Sequence, residues 1–298
     1  MAEVPWLGVT VPGMSLGILQ HDLYFYRMRT ALDDKLRLLT YLVPGTVLDV
    51  GAGDGSLVRA MRDAGFAATG VDASSEAVAR SDGLVAWVPA ELLHETYFAA
   101  SFDNIVFCSS LHEIWSYGGR DQAYDQALTE AVRLLRPGGR LIIRDGVAPQ
   151  HPDQPWRVSF HDPADATAFH HQWVGAARSL MGPLRHTMAE GVMEGPAREV
   201  TEFLFTYGWG WESLPRERCE WYTVAGTHAG FIQRVVKSTR DRRNGAPQVT
   251  PRFSHVYLQD GYRNRFDNLG VLERTDRDGG WVEQLWPASN AVWVFDRL

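Results

Sequence analysis

Along this chain of 298 residues, apolar positions follow two different rhythms. Short apolar runs end repeatedly in an acid or a small-residue turn: Leu48-Asp49-Val50, Ala67-Ala68-Thr69-Gly70-Val71-Asp72, Phe102 to Ser110, and Leu141-Ile142-Ile143-Arg144-Asp145. Runs of this length bounded by glycine or acid predict buried strands. Residues 20 to 42 instead carry Leu23, Tyr26, Met28, Leu32, Leu36 and Leu39 at helical spacing, and Pro44-Gly45 ends the pattern. That predicts a leading helix whose Tyr24, Tyr26 and Arg27 either pack in a core or close over a ligand. Near the other end, Val256 to Phe266 predicts a late helix, Gly270-Val271-Leu272-Glu273-Arg274 a strand, and Ala291-Val292-Trp293-Val294-Phe295 a last buried strand.

The first strand runs into Gly51-Ala52-Gly53-Asp54-Gly55-Ser56-Leu57, where three alternate glycines turn the chain. Glycine tolerates positive φ and lets a ligand approach the backbone, and the helix that follows aims its free N–H groups at the same place. A dinucleotide fingerprint wants a third glycine where Ser56 stands, and Asp49 would repel a pyrophosphate. A cationic nucleoside fits better. Asp72 follows about 20 residues on, where an acid can accept both ribose hydroxyls.

Composition permits this without adding to it. At 45% hydrophobic residues the chain can bury one large core, or one core with an elaborate attachment. A net charge of −7 argues against DNA held by long-range attraction, and the basic stretch 237–243 reads as a solvated loop or helix end. Cys108 and Cys219 offer neither a disulfide framework nor a metal-ligand pair, so no metal is expected. Glu3, Pro5 and Pro12 stand where a signal peptide would be basic and apolar, and no run approaches a membrane span; a cytoplasmic location is expected.

Four segments, LDVGAGDGSL, the acid of GVD, FDNIVFCSSLHEI and LRPGGRLIIRD, together resemble the motifs of class I S-adenosylmethionine-dependent methyltransferases over roughly residues 36 to 147. The resemblance implies a doubly wound, mostly parallel seven-stranded α/β sheet with S-adenosylmethionine over the carboxyl ends of its first strands, and S-adenosylhomocysteine as product. Carried over by position, Asp49, Gly51 and Gly53 serve the methionine end, Asp72 the ribose, and Ser109 the loop beside the sulfonium. Many relatives bind adenine with an Asp-Ala-like pair. This chain has Val88-Pro89-Ala90-Glu91-Leu92 there, so the expected contact is Ala90 backbone or Glu91.

Such a pattern expects a helix and a strand hairpin after strand five, and residues 148–250 do not supply the hairpin. The expected layout is therefore a helical cap over 1–35, a core over 36–147 and 251–298, and a helical lid inserted over 148–250. Pro149, Pro152 and Pro155 mark its entrance and Asn244-Gly245-Ala246-Pro247 its exit. It holds His151, His161, His170, His171, His186 and His228, with Phe203, Phe205, Tyr207, Trp209, Trp211, Trp221 and Tyr222 as its core or as a pocket wall.

Methyl transfer needs alignment, exclusion of water, and a base if the acceptor carries a proton. His112 follows the fourth strand directly, and His161, His171 and Asp145 are further candidates for proton transfer. Glu113, Tyr117, Arg144, Trp209 and Tyr222 are candidate acceptor contacts, Arg144 alternatively neutralising Asp145. The loop after strand four lacks the Pro-Pro-aromatic turn for a flipped base, the Pro-Cys nucleophile for cytosine, and an acid for a magnesium-bound catechol. What remains is metal-independent O-, N- or C-methylation of a small or medium organic acceptor, a natural-product intermediate or a peptide. A protein or RNA methyltransferase docking through the insertion, and a nucleoside-sulfonium binder that methylates nothing, stay open, and a homodimer is compatible with the aromatic insertion.

Overall fold

A computed structural model describes residues 31–298. The leading helix falls partly outside these; of its stripe, Leu32–Leu36 forms a single helical turn and Arg37–Tyr41 a 3-10 turn, while Leu23, Tyr24, Tyr26, Arg27 and Met28 lie outside the described residues.

The strands in chain order are β1 (Thr46–Val50), β2 (Ala67–Asp72), β3 (Val85–Trp87), β4 (Phe102–Cys108), β5 (Leu135–Gly146), β6 (Pro155–Phe160), β7 (Thr187–Ala189), β8 (Val192–Pro196), β9 (Val249–Tyr257), β10 (Gly270–Thr275), β11 (Trp281–Glu283) and β12 (Asn290–Arg297). Contacts divide them between two compact units, one of residues 31–145, 229–255 and 292–298, the other of residues 146–228 and 256–291.

The first unit holds a seven-stranded sheet in the order β3-β2-β1-β4-β5-β12-β9. Strands β1 to β5 pair in parallel, so their carboxyl ends gather at one edge. At the far side, Leu298 donates to the Gln248 carbonyl and Ser289 to the Tyr257 carbonyl, so β12 and β9 run antiparallel and the sheet is mixed. Both faces are covered, and the central strands accordingly read as continuous apolar runs: Val47, Leu48, Ile105, Val106, Phe107 and Leu141 are fully buried. The helix His228–Ser238 belongs to this core from Ala229 on, its Phe231 ring lying 4.3 Å from Trp293 and 6.3 Å from Tyr124.

Two expectations about the late strands are corrected. The sheet's sixth position in chain order is filled by β9, not by Gly270-Arg274, and Val256 begins no helix; the late helix is Asp260–Phe266. As an edge strand with Pro251 in it and mostly exposed residues, β9 lacks the apolar signature by which strands are recognised. Gly270-Thr275 instead pairs antiparallel with β6 and β11.

The second unit is not purely helical. It contains an antiparallel sheet in the order β11-β10-β6-β8-β7, accompanied by the helices Pro163–Met181 and Ala197–Trp209. Its core is the aromatic cluster: Phe169 and Phe203 are fully buried, with Phe203 5.7 Å edge-on to Phe160 and 5.3 Å from Trp173. Residues 229–250, read from sequence as part of the insertion, lie in the first unit.

Candidate functional site

At the end of β1 the chain enters three positive-φ glycines, Gly51 (+76°), Gly53 (+58°) and Gly55 (+76°), the last starting the helix Ser56–Asp63. The turn is tied to the neighbouring strand, because the Gly51 and Ala52 amides both donate to the Val71 carbonyl at 2.9 and 3.0 Å. A Cβ on Gly51 would stand 2.4 Å from Ser110 Cβ, whereas one on Gly53 would meet nothing within 4 Å. Gly51 is thus required by packing, and Gly53 keeps open the space a ligand would use.

Asp49 faces this loop and is 2% exposed, and its Oδ1 has no hydrogen-bond partner. Burial pushes its carboxyl up to about 7, against a smaller opposite pull from Lys35 and a push from Asp72. A buried, unsatisfied carboxylate oxygen calls for a cationic donor. Asp72, at the end of β2, accepts from the Gly53 amide at 2.8 Å and from Ser74 N at 2.8 Å, which fixes its carboxylate beside the same loop. Lys35 and Cys108 line the pocket with Asp49. Burial raises the Cys108 thiol, which keeps it protonated and unreactive there.

Directly after β4 comes Ser109, a non-glycine residue with φ +59°. Two contacts hold it: its amide donates to the Arg144 carbonyl at 2.7 Å and its hydroxyl accepts from Arg144 Nη1 at 2.5 Å. The same guanidinium grips Asp34 through Nε at 2.9 Å and Nη2 at 2.5 Å. Next door, Ser110 Oγ donates to the Val50 carbonyl at 2.6 Å, joining the start of the helix Leu111–Tyr117 to the glycine turn. On that helix His112 is buried, its amide 3.1 Å from Asp145 Oδ2 and its Nδ1 2.6 Å from Asp145 Oδ1. Nδ1–H donating to the carboxylate sets Nε2 as the basic nitrogen.

A model of the family "Methyltransferase domain" matches residues 48–143, spanning the glycine turn, Asp72, the Ser109 loop and most of β5. Residues 48–143 of the first unit thus match a methyltransferase domain. The unsatisfied Asp49 Oδ1, Asp72 and the open Gly53 fit a cationic nucleoside such as S-adenosylmethionine. No curated protein sequence matches the chain. Among solved structures, the chain is similar to an S-adenosylmethionine-dependent methyltransferase from Mesorhizobium loti, 15% identical over 89% of this chain and 96% of that one, TM-score 0.49. It is also similar to a Burkholderia thailandensis 1,6-didemethyltoxoflavin-N1-methyltransferase bound to its substrate and S-adenosylhomocysteine, 16% identical over 97% of this chain and 91% of that one, TM-score 0.45.

The remaining predicted residues are distributed as follows. Ala90 opens a 3-10 turn over Ala90–Leu92, just beyond β3, and Glu91 is exposed with its carbonyl bonded to His94 Nδ1. Glu113 and Tyr117 share the His112 helix in the methyltransferase domain. Arg144 is 2% exposed, and its guanidinium bonds Asp34 and Ser109. His161, His171, Trp209 and Tyr222 all lie in the second unit. His161 is exposed with Nδ1 near the Asn268 carbonyl, and His171 is exposed beside a buried His170. His170 is the built-in member of that pair: its Nε2 lies 2.8 Å from His186 Nε2, and burial holds the His170 ring down to about 4. The Tyr222 ring is core, with its hydroxyl donated to Glu217, and Trp209 packs edge-on against Tyr262 at 6.0 Å.

Sequence reading missed Lys35 and Asp34. A lysine and an acid between Leu32 and Leu36 read as the polar face of an amphipathic helix, yet Lys35 is buried at 7% exposure. A lysine flanked by apolar helix positions ahead of a glycine turn was the signal available.

Proposed function

We propose that this enzyme moves the methyl group of S-adenosylmethionine to an oxygen, nitrogen or carbon of a small or medium organic acceptor, without a metal, using the His112–Asp145 pair as its base. The cofactor supplies a methyl group on a sulfonium, an electrophile that needs no covalent help from the protein. Asp49 holds the cofactor's ammonium, its unsatisfied Oδ1 being the partner that cation lacks. Asp72 takes the ribose hydroxyls while its own position is fixed by Gly53 N and Ser74 N. Gly51, Gly53 and Ser109 shape the backbone along the methionine end, and Ala90 with Glu91 offers the adenine edge a peptide group and a carboxylate.

One observation carries the base: a buried imidazole with Nδ1 2.6 Å from a buried carboxylate at the carboxyl end of the parallel strands. Asp145 orients the ring and stabilises the imidazolium formed when Nε2 takes the acceptor's proton. Glu113 and Tyr117, one and five positions on from His112, are proposed acceptor contacts. Acceptor choice is assigned to the second unit, which the chain enters at Gly146, directly after Asp145. A natural-product intermediate or a peptide fits this reading, in the cytoplasm. Among the described residues no helix is long and apolar enough to cross a membrane.

Titration calorimetry with S-adenosylmethionine and S-adenosylhomocysteine, followed by a screen of metabolite and peptide pools for a gain of one methylene, tests the reading. Cofactor consumption with a methylated product supports it; tight cofactor binding with no product from any pool points to a binder that does not methylate.

A further inference from the structure

The apolar face of the second unit's sheet turns polar at one end. Trp156, Val158 and Phe160 occupy the buried side of β6. Cross-strand partners share a face, and β10 pairs Leu272 with Val158 and Arg274 with Trp156. Gln284 joins the same side, its amide donating to the Leu272 carbonyl at 2.9 Å just beyond the Glu273–Glu283 pair. There Trp156, Arg274 and Gln284 replace aliphatic side chains and, with Gln150, His151 and Gln154, line a cavity of about 440 Å³. That is the size of a small-molecule site.

The wall is rich in donors and contains no acid. Trp156 is 6% exposed and its indole N–H has no acceptor; the Gln284 side-chain nitrogen Nε2 is likewise buried and unpartnered, its backbone amide being the one bonded to Leu272. A buried donor without an acceptor is unfavourable, and two residues of one cavity wall carry such donors just beneath its surface, where a ligand's oxygens could be drawn in. Arg274 makes one long hydrogen bond, 3.4 Å to the Thr275 carbonyl, and among the described residues no carboxylate partner. Arg157 on the opposite face shows the ordinary arrangement, paired with Glu273 at 2.8 Å. The loop forming the far wall is already pinned: Gln154 Nε2 donates to the Thr275 carbonyl at 3.0 Å, and Ala197 and Arg198 donate to the Gln154 and Pro152 carbonyls at 2.9 and 3.0 Å.

We propose that this cavity is a binding site for a small organic carboxylate. The Arg274 fork takes the two oxygens of the planar group, and the Trp156 and Gln284 N–H groups supply further donors to it. One cation and no acid suit a monoanion. The site stands apart from the methyl-transfer reading and does not depend on it.

The test is a titration of the full-length chain, ¹⁵N-labelled at its tryptophan indoles, with sodium benzoate, benzamide and inorganic phosphate. Trp156→Phe assigns the Trp156 signal. Benzoate is expected to move that signal saturably, with affinity at least about tenfold weaker for neutral benzamide and in Arg274→Gln. Arg274 is exposed, and the other indole signals report whether the variant is folded. A Trp156 signal that benzoate leaves in place, or moves equally in Arg274→Gln, overturns the site. Phosphate acting as strongly as benzoate overturns the carboxylate assignment.

Discussion

Asp145 holds His112 by two hydrogen bonds, one to the ring at 2.6 Å and one to the backbone amide at 3.1 Å, so a single carboxylate fixes both the tautomer and the placement of the imidazole. Replacing His112 by Gln should lower kcat by about 100- to 10,000-fold while leaving cofactor affinity unchanged. Asp145→Asn should lower kcat as well and move the acid limb of the pH–rate profile to lower pH, since the imidazolium loses its carboxylate partner. Steady-state kinetics over pH, with calorimetry for the cofactor, checks both; full turnover in His112→Gln places the base elsewhere.

Cofactor affinity should depend on pH through Asp49. The free enzyme holds this carboxyl protonated below about pH 7, and the cofactor's ammonium needs it ionised. Affinity should therefore rise with pH up to about 7, approaching tenfold per pH unit below it, and level off above. Calorimetry between pH 5.5 and 8 measures the slope, and Asp49→Asn should flatten it with a lower plateau.

The same group makes an opposite demand on stability. Its folded value, about 7, lies above the ordinary 3.8, so between these limits the folded chain keeps a proton that the unfolded chain has lost. The group's contribution to stability without cofactor is full below the lower value and falls as pH rises through the higher one, by about 4 kcal/mol at most. Urea denaturation of the wild type and Asp49→Asn across pH 4 to 8 should diverge by a difference that grows with pH.

Arg144 is buried and divides its guanidinium between Asp34 and Ser109. Arg144→Met takes the buried guanidinium from Asp34, whose side chain is only 13% exposed, leaving it Arg37 at 3.9 Å, and should cost about 3 kcal/mol. The double variant with Asp34→Asn should recover part of that in a denaturant titration, since the stranded charge is gone.

Two glycines of the turn should respond differently. Gly53→Ala places its Cβ in open space and carries only the left-handed backbone cost, about 1 kcal/mol. Gly51→Ala also drives a Cβ to 2.4 Å from Ser110 Cβ, and should cost about 2–4 kcal/mol. Melting curves of the two variants give the comparison.

What could be read from sequence follows the physics of each signal. Buried parallel strands declare themselves as apolar runs ending in glycine or acid, so β1, β2, β4, β5 and the turn with Asp49 and Asp72 were legible. An exposed edge strand interrupted by Pro251 carries no such run, and β9 was missed. The aromatics of the second unit showed that a core existed but not that a sheet formed part of it, because β7, β8 and β11 are too short to establish a period. His112 and Asp145 were each nameable, yet their pairing over 33 positions depends on the parallel register of β4 and β5. Lys35 and Asp34 stayed hidden because a charge between leucines in a helix ordinarily faces water.

Strand β12 lies between β5 and β9 in the sheet order, and it is formed by Asn290–Arg297. During synthesis β9 therefore has no neighbour to pair with until about forty further residues have been added, and β5 presents an unpaired edge for longer still. The growing chain must carry an incomplete sheet, with its open edge exposed to intermolecular pairing, until the slot is filled. Completion of this sheet is thus a late event in the life of each chain, closed by the insertion of Asn290–Arg297 between two strands already made.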